Sequence, residues 1–169
     1  MTEPARPEDL FARLEALGIR THTVQHPPVF TVEEAKALRG DLPGAHIKNL
    51  FLRNKKGEMW LVVAEESRAI DLKVLGARLD AGRLSFGSPE RLMTHLGVAP
   101  GAVTPFALIN DRLGQVRVAI DKAVLEADPV NCHPLTNDMT TAIAPQDLLT
   151  FLERSGHKPL ILDLGNGAA

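Results

Sequence analysis

Two apolar runs in the middle of the chain, HIKNLFLR at residues 46–53 and MWLVVA at residues 59–64, flank Lys55, Lys56 and Gly57. Short apolar runs on either side of a glycine-bearing turn predict a β-hairpin, so the fold must be built around a sheet. Helical spacing surrounds that hairpin. Leu10, Phe11, Leu14 and Leu17 recur at three- and four-residue intervals before Gly18, which predicts a helix over residues 8–17. A short alternating strand at 19–26 follows, stopped by Pro27 and Pro28. Thr31 with Glu34 forms a capping-box pair, which predicts a helix over 32–39, and Leu42-Pro43-Gly44 is a turn.

Beyond the hairpin, Asp71 caps a helix expected to end near Gly76. Ser88 as N-cap, Pro89 at the first helical position and Gly97 as terminator bound another. Residues 101–106 read as a structured loop leading into a strand at 107–109, and VRVAID is a further strand. Asn131-Cys132-His133-Pro134 reads as a turn, and NDMTTAIA supplies a strand. Pro145 to Asp147 opens a last helix over 148–154, and the residues after Leu164 offer nothing to pack. Short helices interspersed with strands, joined by both hairpins and crossovers, indicate one α/β domain with a mixed, largely antiparallel sheet.

Composition narrows the function. The 169 residues suit one core, and 44% apolar with 24% charged residues is an ordinary folded composition. A net charge of -2 argues against a protein that coats nucleic acid, while leaving room for one that touches only the end of an RNA through a local basic group. One tryptophan and no tyrosine leave few platforms for stacking bases. The single Cys132 excludes an internal disulfide. The polar opening MTEPARPEDL lacks a secretory pattern, and no run nears the ~20 apolar residues of a membrane span. A cytoplasmic location with no membrane partner is the expectation.

Walker, dinucleotide, HExxH and CxxC patterns are absent. His22 and His26 share a strand face, as a metal pair would, but no third ligand lies near them in sequence, and a surface role is the plainer reading. Lys48 stands inside an apolar strand on the face of Leu50 and Leu52. It is either an edge-of-sheet lysine or a cationic clamp for a phosphate or carbonyl oxygen, with the Asn49 amide beside it. Cys132 reads as a small buried residue rather than a nucleophile, because adjacent residues of a turn point apart. His133 is a ligand-binding or proton-carrying histidine, or a structural one. The loop Gly101, Ala102, Val103, Thr104, Pro105 has a glycine free to take an unusual backbone angle and a proline fixing its exit. It can aim N–H groups at an oxyanion, or be an ordinary tight loop.

Taken together and in order, IKNLFLRNKKGEMWLVV, RLSFGSPERL, GVAPGAVTPFALIND and NCHPLTNDMTTAI resemble the YbaK/prolyl-tRNA synthetase associated domain family of aminoacyl-tRNA editing proteins, over roughly residues 21–164. Within the family the pattern is most similar to the free-standing alanine-specific branch. The resemblance implies a single editing domain at 21–164, with residues 1–20 as a helix packed on it and 165–169 as a disordered tail. It implies hydrolysis of alanyl-tRNA(Pro) by water, assisted by the RNA's ribose hydroxyl, with no metal, cofactor or enzyme nucleophile. Lys48 would engage the acceptor end, with Asn49 adjoining, and Gly101 to Pro105 would hold the ester. His133 would lie in the pocket, and Phe86 and Ser88, with Ser85, would form its wall. A small pocket would admit alanine and exclude proline. The implied partner is the acceptor end of mischarged tRNA(Pro), with prolyl-tRNA synthetase or an elongation factor as transient partners. A cysteinyl-tRNA(Pro) deacylase and a non-catalytic tRNA- or synthetase-binding module are the competing readings.

Overall fold

The structure, a computed structural model, describes residues 3–28, 31, 33, 34, 37 and 42–165. Its strands are β1 (Thr21–Gln25), β2 (Ala45–Arg53), β3 (Met59–Glu65), β4 (Ser85–Phe86), β5 (Val116–Asp121), β6 (Val130–Cys132), β7 (Met139–Ile143) and β8 (Leu160–Leu162). The helices are α1 (Pro7–Ala16), α2 (Leu72–Arg78), α3 (Pro89–Leu96), α4 (Lys122–Leu125) and α5 (Pro145–Arg154), with two 3-10 helices at Pro100–Ala102 and Pro105–Asn110. The strands form one mixed sheet in the order β1-β7-β6-β2-β3-β5-β8, with β4 also on β2. Four neighbouring pairs are antiparallel and three parallel, so the expected mixed α/β architecture holds.

The central hairpin explains the two-layered core. Alternation along β2 and β3 sends Phe51, Leu61 and Val63 to one face, and Leu52, Trp60 and Val62 to the other. On the first face they meet Leu10 and Leu14 of α1, Phe106, and Leu148 and Phe151 of α5. On the second face they meet Leu75 of α2, Ala119 of β5 and the buried Leu164. Each helix buries its apolar stripe on the sheet, which is where most of its stability originates.

Helix starts follow the sequence signals closely. Asp71 accepts from the N–H groups of Lys73 and Val74, at 2.8 and 3.4 Å, to open α2. Ser88 accepts from Arg91 N–H at 3.1 Å to open α3, and Gly97 ends it at φ 66°. At the other cap, Thr31 Oγ1 accepts from Glu34 N–H at 3.0 Å, but most of the helix expected over 32–39 lies outside the described residues. Residues 166–169, most of the expected tail, also lie outside them.

Four local expectations are corrected. Gly76 does not end α2 but sits within it, where a Cβ would come to 2.1 Å from the Gly82 carbonyl oxygen; its lack of a side chain serves packing. The strand expected at 107–109 is a 3-10 helix, because Thr104 caps it and Pro105 begins it. The turn expected at 131–134 begins as strand β6. Asn131 holds it beside β2 by donating from its amide to the Pro43 and Ala45 carbonyls, at 3.0 and 3.1 Å. Finally, β8 occupies a stretch for which the sequence pattern predicts no element; β5 supplies its parallel partner. Among the described residues, no helix is long and apolar enough to cross a membrane.

Candidate functional site

Strand β2 is paired unequally along its two edges. β3 follows it continuously from Ile47 to Arg53. On the other edge β6 pairs only with Ala45 and His46, and β4 only with Leu52 and Arg53. β6 stops there because His133-Pro134 follows it, and proline has no N–H to extend a ladder. β4 is two residues long, and after Gly87 the chain enters the cap of α3. Between the two, the Gly87 N–H donates to the Phe51 carbonyl at 2.9 Å, and residues 47–50 have no strand partner on this edge among the described residues. Backbone polar groups in such a gap need partners from outside the ladder, and that requirement makes the gap a candidate site.

Lys48 and Asn49 stand in this gap and project to opposite faces. Lys48 shares its face with Leu50 and Leu52, as the alternation predicts, and is half-buried. Its Nζ donates to the Arg68 carbonyl oxygen. Asn49 lies on the face of Phe51, opposite Val63, and its Oδ1 is buried with no hydrogen-bond partner among the described residues. A buried amide oxygen without a partner is costly, so the position suits a bound donor.

His133 enters from β6. The β2–β6 register pairs Ala45 with Val130 and His46 with Asn131 and ends there, and His133 follows directly after the last residue of β6, at this end of the gap. The His133 Nδ1–H donates to the Met139 carbonyl at 3.0 Å, which leaves Nε2 with the lone pair in the neutral ring. Burial lowers the pKa below the ordinary imidazole value; the Met139 carbonyl opposes this, and the charge of His26 adds to it. The result is a neutral acceptor near physiological pH. The His26 ring lies 6.3 Å away, with Nδ1 bonded to the Pro27 carbonyl and Nε2 to Thr140 Oγ1, both at 2.8 Å. His26 therefore belongs beside His133 rather than to a metal pair with the exposed His22. Its bond to Thr140 spans 114 positions, a separation that no local pattern reveals.

The Gly101 loop approaches differently from the expectation. Gly101 is the middle residue of a 3-10 turn with a right-handed backbone, so its freedom to take an unusual angle is not used. Ala102 and Val103 pack into the core on Asn49's side of the sheet. Thr104 is fully buried, and its hydroxyl accepts from Phe106 N–H at 3.3 Å as the cap of the next 3-10 helix, whose first residue is the buried Pro105. The loop thus reaches β2 from the Asn49 face, while Lys48 projects from the other. A ligand touching both would have to pass through the open edge of β2.

Of the expected pocket wall, Phe86 is paired with Leu52 on the Lys48 face and is 62% exposed. An aromatic ring left so open on that face is available for stacking. The Ser88 hydroxyl is engaged as the α3 cap. Cys132 is buried in the core, and burial pushes its thiol far above the usual range, which suits a packing role and not a nucleophile.

Residues 26–151 match the family described as the aminoacyl-tRNA editing domain. The chain is 44% identical over 156 residues to prolyl-tRNA synthetase associated domain-containing protein 1 of Bos taurus, covering 89% of this chain and 91% of that one. It is 36% identical over 149 residues to the prolyl-tRNA editing protein ProX of Acetoanaerobium sticklandii, covering 88% and 91%. A solved structure described as a candidate trans-editing enzyme for prolyl tRNA synthetase shares the fold, with a TM-score of 0.71 at 23% identity over 93% and 94% of the two chains. With a match that spans the gap in β2 and both of its walls, this chain belongs to the aminoacyl-tRNA editing domain family.

Proposed function

We propose that this protein is a cytoplasmic trans-editing hydrolase that removes alanine from mischarged tRNA(Pro). The observation that carries the reading is the open edge of β2, which presents the Lys48 ammonium on one face and, on the other, the buried Asn49 amide oxygen, without a partner among the described residues, while the neutral acceptor His133 directly follows β6 at one end of the gap. A 3′-aminoacyl adenosine has matching parts. Its phosphates and ester oxygen suit the Lys48 ammonium, its α-ammonium suits the Asn49 oxygen, and its base suits the exposed Phe86 ring. The Nε2 of His133 can accept a proton from an attacking water or from the ribose hydroxyl that assists it. Backbone N–H groups at the Gly101 turn would stabilise charge developing on the ester oxygen. Val103, the half-buried side chain of that loop, would limit the side chain admitted, because a small pocket rejects a larger ring by collision. Prolyl-tRNA synthetase or an elongation factor would be a transient partner in delivering the RNA.

The test is hydrolysis of alanyl-, cysteinyl- and prolyl-tRNA(Pro) by the purified protein. Rapid loss of alanine alone is the expected result. Preferential loss of cysteine would assign the same chemistry to a different substrate, and no loss from any of the three would leave a tRNA- or synthetase-binding module. Lys48→Ala is expected to lower kcat/KM about a hundredfold, the scale of losing a charge-assisted contact near the reacting group.

A further inference from the structure

Lys48 does not reach Arg68 by chance of side-chain placement; the turn carrying that carbonyl is held from the far side by a buried carboxylate. The β2–β3 register pairs Lys48 with Ala64. The β3–β5 register pairs Val63 with Ile120, and its next step sets Ala64 level with Asp121. Lys48, Ala64 and Asp121 therefore form a row across three strands on one face. Adjacent strands lie about 4.8 Å apart, so the ends of this row are about 10 Å apart, too far for a direct ion pair.

The small Ala64 leaves room over the middle of the row, and the turn after β3 folds back across it. Asp121 is fully buried and holds that turn at two points. Its Oδ2 accepts from Arg68 Nε at 3.1 Å and from Glu65 N–H at 3.3 Å, while its Oδ1 accepts from Ala123 N–H at 3.2 Å at the start of α4. The Arg68 N–H in turn donates to the Glu65 carbonyl at 3.0 Å. The Arg68 carbonyl, at the outer end of this clamp, takes one of the three Lys48 donors. A flexible four-carbon side chain is thereby fixed before any ligand arrives, with donors to spare.

We propose that Asp121 and Arg68 are positioning residues for Lys48: the buried carboxylate fixes the Arg68 turn, and the turn's carbonyl presets the ammonium for the acceptor end of the RNA. This rests on the reading of Lys48 as a substrate-facing group. Binding in the ground state is what a preset cation serves, so the effect belongs mainly in KM.

The experiment is a double-mutant cycle read alongside the chemical reactivity of Lys48. Asp121→Asn keeps the volume and one acceptor but removes the charge that holds Arg68. It is expected to raise KM for alanyl-tRNA(Pro) about tenfold with kcat within about twofold, and to cost less than about twofold in kcat/KM when Lys48 is already alanine. Arg68→Ala should behave likewise and Arg68→Lys should recover part of the loss. Arg68 is partly exposed, so these two variants carry the test if Asp121→Asn does not fold. Equal losses with and without Lys48, or no loss in a folded variant, would overturn the proposal. Acetylation of Lys48 in the free protein, followed by mass spectrometry, needs no RNA. Faster modification in the variants is expected, and an unchanged rate would overturn positioning even if the protein hydrolyses no aminoacyl-tRNA, a result that would separately overturn the editing reading.

Discussion

Two buried carboxylates stand near opposite ends of the β5 segment and are used in opposite ways. Asp111, before the strand, accepts from Gln115 and Val116 N–H at 3.0 and 2.8 Å and from His157 Nε2 at 2.8 Å. Its partners tie the turn before β5 to the end of the α5 segment. Asp121, at the strand's end, also accepts from backbone and from one side chain, but that side chain belongs to a turn whose carbonyl passes the restraint on to Lys48. The first cluster belongs to the scaffold and ends at His157, whose Nδ1 is buried without a hydrogen-bond partner among the described residues. The second ends at a group with donors left over. A buried charge becomes informative about function only when its network is followed to the last member.

Breaking the Asp111 cluster should cost the most stability. Asp111→Ala leaves the buried His157 without its acceptor and is expected to lower unfolding stability by about 3 kcal/mol, measured by denaturant melts. The kcat of the folded fraction should be unchanged, and a selective loss of kcat would erase the contrast with Asp121. Acid titration sharpens the same point. Burial pushes the Asp111 carboxyl up, but His157, Val116 and Gln115 outweigh it, so its pKa lies below the ordinary 3.8. Its stabilisation is therefore present above that value and is lost as pH falls through the lower folded pKa.

The site histidine gives an intermediate effect. His133→Gln is expected to lower kcat about tenfold, or about 1.4 kcal/mol. Because the folded pKa of His133 is lowered from 6.5, its neutral ring favours folding above that value, and the advantage shrinks as pH falls below it. Activity that needs the neutral ring should show an acid limb with an apparent pKa below 6.5, and the His133→Gln variant should lack that limb. A limb at or above 6.5 would contradict the burial described for this residue. The smallest effect is expected at Ser88, whose hydroxyl caps α3. Ser88→Ala should lower stability by about 1 kcal/mol and Ser88→Asp should restore it, as thermal melts would show.

Local signals carried much of the fold. The central hairpin, the Asp71 and Ser88 caps, the Gly97 stop and the side of β2 on which Lys48 stands all follow from short spacings that act within a turn or a strand. The missed features depend on contacts between distant segments. A 3-10 helix replaced the strand at 107–109 because apolar residues buried on several sides carry no usable period. Gly76 read as a stop because nothing in the local sequence announces the Gly82 carbonyl against it. The site was legible as a set of residue types, but not as an arrangement. Lys48 and His133 are visible in their motifs, whereas His26 beside His133 and Asp121 behind Lys48 depend on a register that joins residues far apart in the chain. The opposite approach of the Gly101 loop was hidden for the same reason.

The broken edge of β2 also makes the sheet a jointed object. β1, β7 and β6 form one leaf, which meets β2 through only two registered residue pairs, while β2, β3 and β5 form a leaf with long, continuous ladders. His26 and His133 ride on the first leaf; Lys48 and Phe86 ride on the second. A molecule seated across the joint would act as a rivet between the leaves, so whatever binds there would also stiffen the sheet.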